Sequence, residues 1–250
     1  MPMLEQTKYG VIIQARMSSN RRPGKVLEDI QGKPMLLRQL ERLKKGLKIE
    51  KLLVATSEDP SDDPIEELCT SYNFLCYRGS LNDVISRFIG AAQYHNIDYI
   101  IRVGGDDPLI DWECCNHLYE LNQQEPHDLL FASHRKGWPY GCAAELISRK
   151  SLEVINRKTN KKEYLEHTTP YYYDHPNEFK ILPVEVPYEI CPQDYSFTVD
   201  YEEDLSFIKK IFSRLIDKGE FFSIQEVIKL LKKEPKIRDL NKHLHSGFNK

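Results

Sequence analysis

Short apolar runs that alternate with helically spaced stretches constrain this chain more than any other feature. Residues 11–13, 52–56 (LLVAT), 99–103 (YIIRV) and 128–133 (DLLFAS) are nearly continuous in apolar side chains, and residues 74–77 form a further candidate. Runs of that length suit strands buried on both faces of a parallel sheet. Between them the spacing turns helical. Pro34 opens one helix, with Leu36, Leu37, Leu40 and Leu43 on a single face, and Pro64, Glu66 and Glu67 suit the first turn of a second. Val84, Ile85, Phe88, Ala91 and Ala92 predict a third helix within residues 81–95. Strand, helix and strand in that order make right-handed crossover units, so the fold class is α/β with a mostly parallel sheet. Ligands of such sheets bind beyond the carboxyl ends of the strands, where the loops carry the functional information.

A chain of 250 residues can bury a good core and is most simply one domain over residues 1–250. Its formal net charge of −3 argues against general nucleic-acid affinity and makes any cationic stretch a local feature. The N-terminal MPMLEQTKYG has no basic segment followed by an apolar one, and no run approaches the roughly 18 apolar residues of a membrane span. Cys69, Cys76, Cys114, Cys115, Cys142 and Cys191 show neither a CxxC pair nor the histidine spacing of a zinc site, which reads as free thiols in a reducing compartment. The expectation is a cytoplasmic protein without membrane contact.

Residues 12–27 read IIQARMSSNRRPGKVL. Arg16, Arg21, Arg22 and Lys25 follow the first strand, interleaved with Ser18, Ser19, Asn20, Pro23 and Gly24, which favour turns and leave backbone N–H groups free to meet a ligand. A basic loop is ordinarily a solvated surface, but guanidinium forks, an ammonium and main-chain donors together also suit a polyphosphate. The spacing matches neither the Walker loop nor the three-glycine dinucleotide motif. After the 99–103 run, Gly104 and Gly105 lead into Asp106, Asp107 and Pro108. The two carboxylates read either as an Asp-Pro turn or helix cap, or as a strand-end site for Mg²⁺ against a triphosphate. Residues 134–141 (HRKGWPYG), with Tyr140 among them, are either a plain surface loop or a cationic and aromatic surface suited to a carboxylated sugar.

Farther along, residues 179–186 alternate weakly, as in a strand of a small β insert, and residues 196–199 read as a strand that ends at Asp200. Glu202, Glu203 and Asp204 then complement the dipole of a helix carrying Leu205, Phe207, Ile208, Ile211 and Phe212. Ser223 and Glu226 are spaced as a capping box before an amphipathic helix, and the Lys-rich tail to residue 250 reads as a solvated end.

In their order, Ala15, Arg16, Ser19, Arg21, Pro23 and Lys25 resemble the signature of the cytidylyltransferases that activate acidic sugars. The likeness is nearest to the branch that includes spore coat polysaccharide biosynthesis protein F, with the acylneuraminate and 3-deoxy-manno-octulosonate enzymes further off. Residues 105–110 (GDDPLI) match a Gly-Asp-x-Pro-Leu-Ile motif, and residues 166–171 (EHTTPY) are similar to Glu-His-Val-Thr-Pro-Tyr. Thr198, Asp200, Glu203, Asp204 and Leu205 fit Thr-x-Asp-x-x-Glu-Asp-Leu.

The resemblance implies a Rossmann-like three-layer α/β/α nucleotidyltransferase fold with a small β insert, the acceptor and dimer contacts lying around residues 134–195. It implies that CMP passes from CTP to an acidic sugar for surface polysaccharide or glycan synthesis, with Mg²⁺ as cofactor, in a homodimer. Nucleotide contacts would come from Ala15, Arg16, Ser19, Arg21 and Lys25, and from Arg78, Gly79 and Ser80 at the expected base-recognition loop. Asp106 and Asp200 would hold the metal, Arg16, Lys25 and Asp106 would carry the chemistry, and Tyr140, Glu145 and His167 would meet the acceptor. Ala143 stands where the branch has an acid, a departure at the acceptor end. A glycosyltransferase using a nucleotide sugar, a nucleotidyltransferase using another base or a simpler alcohol, and a nucleotide-binding relative without turnover are the alternatives the residues leave open.

Overall fold

Val11 and Ile13 bury their side chains in one apolar cluster and Ile12 buries its own in another, so both faces of the first strand are covered. That is the physical reason for the uninterrupted apolar run. The computed structural model describes residues 7–19, 21–132, 136–187, 195–216 and 221–245. It begins with β1 (Tyr9–Gln14), the short strands β2 (Asp29–Ile30) and β3 (Lys33–Pro34), then α1 (Met35–Gly46), β4 (Lys51–Ser57), α2 (Asp63–Ser71) and β5 (Leu75–Gly79). There follow α3 (Val84–Tyr94), β6 (Tyr99–Gly104), α4 (Trp112–Gln124), β7 (Leu129–Ala132) and β8 (Glu145–Ser148). The chain continues through α5 (Arg149–Lys158), α6 (Lys162–Glu166), α7 (Pro170–Asp174), β9 (Ile181–Val184), α8 (Glu202–Leu215) and α9 (Ile224–Lys233).

Seven strands form one sheet in the order β5-β4-β1-β6-β8-β7-β9. Only β8 runs against the others, pairing antiparallel with both β6 and β7. Leu36, Leu40, Ile65, Leu68, Cys114 and Leu118 bring α1, α2 and α4 onto the face that holds Val11. Ile85, Phe88, Leu152, Ile155, Tyr164 and Tyr172 bring α3 and α5 to α7 onto the face that holds Ile12. The expected three-layer α/β/α arrangement is therefore present. A third cluster joins α8 and α9 to Ile30, Met35, Leu109 and Phe197, closing the flank from which Asp200 reaches the sheet edge.

Three local expectations are corrected. Residues 179–186 supply β9, which pairs parallel with β7 at the edge of the main sheet instead of a separate β insert. An edge tolerates Pro183, which lacks a backbone donor. Residues 149–178, inside the expected insert, are largely helical. Residues 196–199 form a single bridge, from Ser196 to Tyr140, and no ladder. The N–H of Phe197 donates to Tyr140 O at 2.9 Å and that of Val199 to Asp106 O at 2.9 Å, so the segment is shared between two loops.

The tail is the third correction as far as residue 245, because Ile237 and Asn241 are buried and the segment folds back as short helical turns; residues 246–250 lie outside the described residues. The capping box at Ser223 and Glu226 is present in both directions. Cys69, Cys76, Cys114, Cys115 and Cys142 are free thiols, and Cys191 lies outside the described residues. Among the described residues no helix is long and apolar enough to cross a membrane.

Candidate active site

The loop after β1 is held from below by a buried carboxylate. Asp62 accepts from the N–H of Met17 at 2.6 Å through Oδ1 and from the N–H of Ser57 at 3.1 Å through Oδ2, and its Oδ2 also accepts from the Ser57 hydroxyl. Gly24, at a φ of 76°, turns the loop into one helical turn over Lys25–Leu27, and its N–H closes the loop on Met17 O at 2.8 Å. The loop after β6 packs directly on the first: Gly105 N–H donates to Gln14 O at 2.8 Å, and a Cβ on Gly105 would stand 2.7 Å from that same oxygen. Gln39, fully buried on α1, donates to the carbonyls of Gly104 at 2.6 Å and Asp107 at 3.1 Å and so fixes the strand end that carries Asp106.

Between these loops opens a cleft of about 520 Å³. The first loop contributes Arg16, Ser19, Arg21 and Lys25, the end of β6 contributes Arg102, Gly105 and Asp106, and Glu166 and His167 enter from the junction of α6 and α7. Lys25, with 7% of its side chain exposed, donates to Asp106 Oδ2 at 2.7 Å, Asp200 Oδ1 at 2.8 Å and Val199 O at 2.8 Å. Burial alone would lower its pKa, yet the carboxylates of Asp106 and Asp200 outweigh that and hold the ammonium above its ordinary value. Arg21 pairs with the other oxygen of Asp200 at 2.8 Å, and Arg16 stands 3.6 Å from Glu166. Arg22 turns away, to Glu28 at 2.7 Å and to Glu202.

Of the residues expected to meet a nucleotide, Arg16, Ser19, Arg21 and Lys25 line the cleft and Ala15 is buried directly beneath, its N–H on Ala55 O. Asn20 lies outside the described residues. The loop at Arg78, Gly79 and Ser80 does not reach the cleft lining. Arg78 lies within β5 and spends its guanidinium on Ser57 O, Asp59 O, Asp63 and Glu66, while Ser80 O accepts from the buried Arg87 at 2.9 Å. Asp106 and Asp200 converge as expected. At the acceptor end His167 lines the cleft, whereas Glu145 stands behind it, its Oε2 accepting from Arg102 Nη1 at 2.7 Å. Tyr140 is partly exposed and outside the lining, and Trp138 of the same loop is fully buried with its indole N–H on Val184 O; His134 and Arg135 lie outside the described residues.

Sequence reasoning passed over Gln14, Arg102 and Glu166 in the cleft, and Asp62, Gln39 and Asp204 behind it. Arg102 had a signal: a cation inside an otherwise apolar run. Asp204 complements the dipole from the first turn of α8, as expected, and there closes a capping box. It is fully buried, accepts through Oδ2 from the N–H groups of Asp200 at 3.1 Å and Tyr201 at 3.0 Å, and meets Asn241 and His245 through Oδ1. The backbone of Asp200 is thereby fixed by a residue four positions on.

Asp107 is the neighbour that does not enter the lining. Removal from water and the adjacent Asp106 raise its pKa to about 8, against a hydrogen bond from the Thr198 hydroxyl at 2.8 Å that favours the ionised form. A folded-state pKa above the unfolded one means that the native protein holds the extra proton. The stabilisation is therefore full below about pH 4 and lost as pH rises through about 8. In the absence of divalent ions, melting midpoints of Asp107→Asn should fall less than those of the unaltered protein between pH 5 and pH 8 (about the window set by linkage). Parallel profiles for the two proteins would exclude Asp107 as the titrating group.

Comparison with known proteins gives this geometry a family. The sequence profile of the cytidylyltransferases matches residues 10–234. The chain belongs to the cytidylyltransferase family. It is 30% identical over 229 residues to the spore coat polysaccharide biosynthesis protein SpsF of Bacillus subtilis, covering 90% of this chain and 94% of that one. A cytidylyltransferase structure from Leptospira borgpetersenii serovar Hardjo-bovis superposes with a TM-score of 0.86 at 31% identity, over 93% of this cytidylyltransferase and 97% of that chain. A CMP:2-keto-3-deoxy-manno-octonic acid synthetase complexed with CTP shares the fold, with a TM-score of 0.65 at 18% identity over 83% and 99% of the two chains. Of the alternatives left open by the residues, family membership sets aside the glycosyltransferase: this cytidylyltransferase is an enzyme of nucleotidyl transfer.

Proposed function

We propose that the enzyme transfers CMP from CTP to a hydroxyl of an acidic sugar, releasing pyrophosphate, in the synthesis of a surface polysaccharide or glycan. One observation supports this above the rest: three first-loop cations, Arg16, Arg21 and Lys25, line one cleft with Asp106, and Asp200 pairs with two of them, so that both carboxylates meet at the Lys25 ammonium. The acceptor oxygen attacks the α-phosphorus, the bond from that phosphorus to the bridging oxygen breaks, and pyrophosphate leaves with the electron pair while the hydroxyl proton passes to water. Charge accumulates on the phosphoryl oxygens, where the two guanidiniums and the ammonium neutralise it and the Ser19 hydroxyl donates a hydrogen bond.

The donor set fits Mg²⁺. Among the described residues no three His, Cys, Asp or Glu side chains gather as a metal cage, and Mg²⁺ characteristically takes one or two carboxylates and completes its shell with substrate phosphates and water. Asp106 and Asp200 would hold it, and when bound it would polarise the α-phosphate as a Lewis acid.

The acceptor end is amphoteric. Arg102 faces Glu145 across the β6/β8 pair, reaches Gln14 Oε1 at 3.4 Å, and keeps a buried Nε without a hydrogen bond among the described residues. A fork with donors to spare suits a carboxylate, and Glu145, Glu166 and His167 suit hydroxyls. Residence in the cytoplasm and assembly as a homodimer belong to the same reading and rest on the free thiols and on the resemblance.

The test is pyrophosphate release with each of the four nucleoside triphosphates against a panel of acidic, phosphorylated and neutral sugars. Release confined to CTP and a carboxylated sugar is the expected result; release with a neutral sugar alone rejects the acceptor class. On the productive acceptor, Arg102→Met should raise the acceptor KM about 30-fold, the value of a charge-assisted hydrogen bond near 2 kcal/mol, while the KM for CTP changes less than about threefold. Equal changes in both KM values would show that Arg102 serves the cleft as a whole.

A further inference from the structure

The cleft cations are already occupied, each by a carboxylate of the same chain. Arg16 faces Glu166, Arg21 and Lys25 share Asp200, Lys25 also holds Asp106, and Arg102 holds Glu145. The Lys25 contact is the tightest of these arrangements: three oxygens surround Nζ at 2.7 to 2.8 Å, on a side chain that is 7% exposed. Nζ thus stands at the point on which the carboxylates of Asp106 and Asp200 converge. We infer that Lys25 is an internal stand-in for the divalent cation, and that its displacement makes binding of the ion and of the triphosphate mutually dependent. This inference rests on the functional reading above for the identity of the two ligands.

The argument is one of charge. Oxygens that close on Nζ this tightly leave no room between them for a second cation, so an ion entering Asp106 and Asp200 must push the ammonium out. A displaced ammonium on a largely buried stem needs another anion close by, and the cleft it would turn into is the one lined by Arg16 and Arg21. A triphosphate there supplies it. Without the triphosphate, the ion must leave the lysine uncompensated. Without the ion, a triphosphate that draws Lys25 away must leave Asp106 without its ammonium and Asp200 with Arg21 alone, both facing the incoming phosphates as like charges. Either ligand alone meets a penalty that the other removes, which is positive coupling, and linkage requires the same factor in both directions.

Mn²⁺ serves as a paramagnetic probe of the ion site and α,β-methylene-CTP as a nucleotide that does not turn over. Free Mn²⁺ is followed by electron paramagnetic resonance, with the ion's binding to nucleotide in solution measured separately and subtracted. On the unaltered protein, saturating analogue should tighten Mn²⁺ binding by about tenfold or more, the range of ordinary allosteric coupling. Lys25→Met, which keeps the length of the stem and removes the charge, should bind Mn²⁺ without nucleotide about tenfold tighter than the unaltered protein and lose most of the coupling.

Equal Mn²⁺ affinity with and without the analogue in the unaltered protein overturns the inference, whether or not the variant folds. So does a folded Lys25→Met variant with no gain in Mn²⁺ affinity. If the analogue does not bind at all, the CTP reading fails, while tighter Mn²⁺ binding by Lys25→Met would still establish the stand-in on its own.

Discussion

Asp106→Asn should lower kcat for pyrophosphate release by about a thousandfold, equivalent to roughly 4 kcal/mol of transition-state stabilisation, and Asp200→Asn should do the same within an order of magnitude. The reason lies in how the two carboxylates are built. Each reaches Lys25 from a different part of the chain, Asp106 from the end of β6 and Asp200 from the segment before α8, and each is held by its own backbone brace: Gln39 on the carbonyls of Gly104 and Asp107, and Asp204 on the N–H of Asp200. An amide keeps the shape of the side chain but not the charge, so folding should persist while cation binding fails. Steady-state kinetics with far-ultraviolet circular dichroism on the same samples makes the check. A folded Asp106→Asn enzyme retaining more than about a tenth of the activity would remove Asp106 from the metal site, because losing a metal-bound carboxylate costs far more than tenfold.

Asp62→Ala is expected to have the largest effect on stability away from the chemistry. Three donors converge on this fully buried carboxylate, the N–H groups of Met17 and Ser57 and the Ser57 hydroxyl. Removing it orphans two backbone donors and leaves a cavity, which should cost about 3 kcal/mol or more. For a chain of this size that is a fall of about 6–12 °C in the melting midpoint. Since the Met17 contact ties the first loop to the body of the domain, CTP affinity should fall along with stability. Calorimetry of Asp62→Ala and Asp62→Asn side by side separates the terms, because the amide retains one acceptor oxygen. A melting midpoint within about 2 °C of the unaltered protein, where a loss of 3 kcal/mol predicts several times that shift, would show the brace to be dispensable.

What could be read from the sequence followed one rule: elements defined by local periodicity were legible, and elements defined by a distant partner were not. The parallel strands β1, β4 and β6 were visible because both of their faces are buried and their runs are uniformly apolar. The four residues of β8 were not, since ELIS is short and opens on a charge. Residues 196–199 looked like a strand because they alternate, yet their donors are taken one at a time by Tyr140 and Asp106, a fact only the tertiary structure supplies. The first-loop cations and Asp106 were legible in the order of their residue types. Asp62 and Gln39 were not, because one sat in an acidic stretch that reads as a surface loop and the other in a leucine-rich helix that reads as a core face. Their roles depend on what lies 45 to 68 residues away in the chain. At the expected base-recognition loop, the partners of Arg78 were not legible either: Asp63 and Glu66, one turn of α2 apart, claim its guanidinium.

The reversed strand β8 has a consequence for how such an enzyme can diversify. Because it runs against its neighbours, its first residue, Glu145, arrives at the edge where β6 finishes, directly opposite Arg102. The proposed phosphate-handling half of the cleft comes largely from residues before 110, and the opposing side from the stretch between β8 and α7, which supplies Glu166 and His167 to the lining and Glu145 beside Arg102. Arg102 is the seam where the two are stitched together. Selection can therefore rewrite the second stretch, lengthening a loop or exchanging the side chains that greet the sugar, while the first stretch and its handling of the nucleotide descend unchanged. One ancestral domain could in this way give rise to enzymes that activate many different sugars with the same donor.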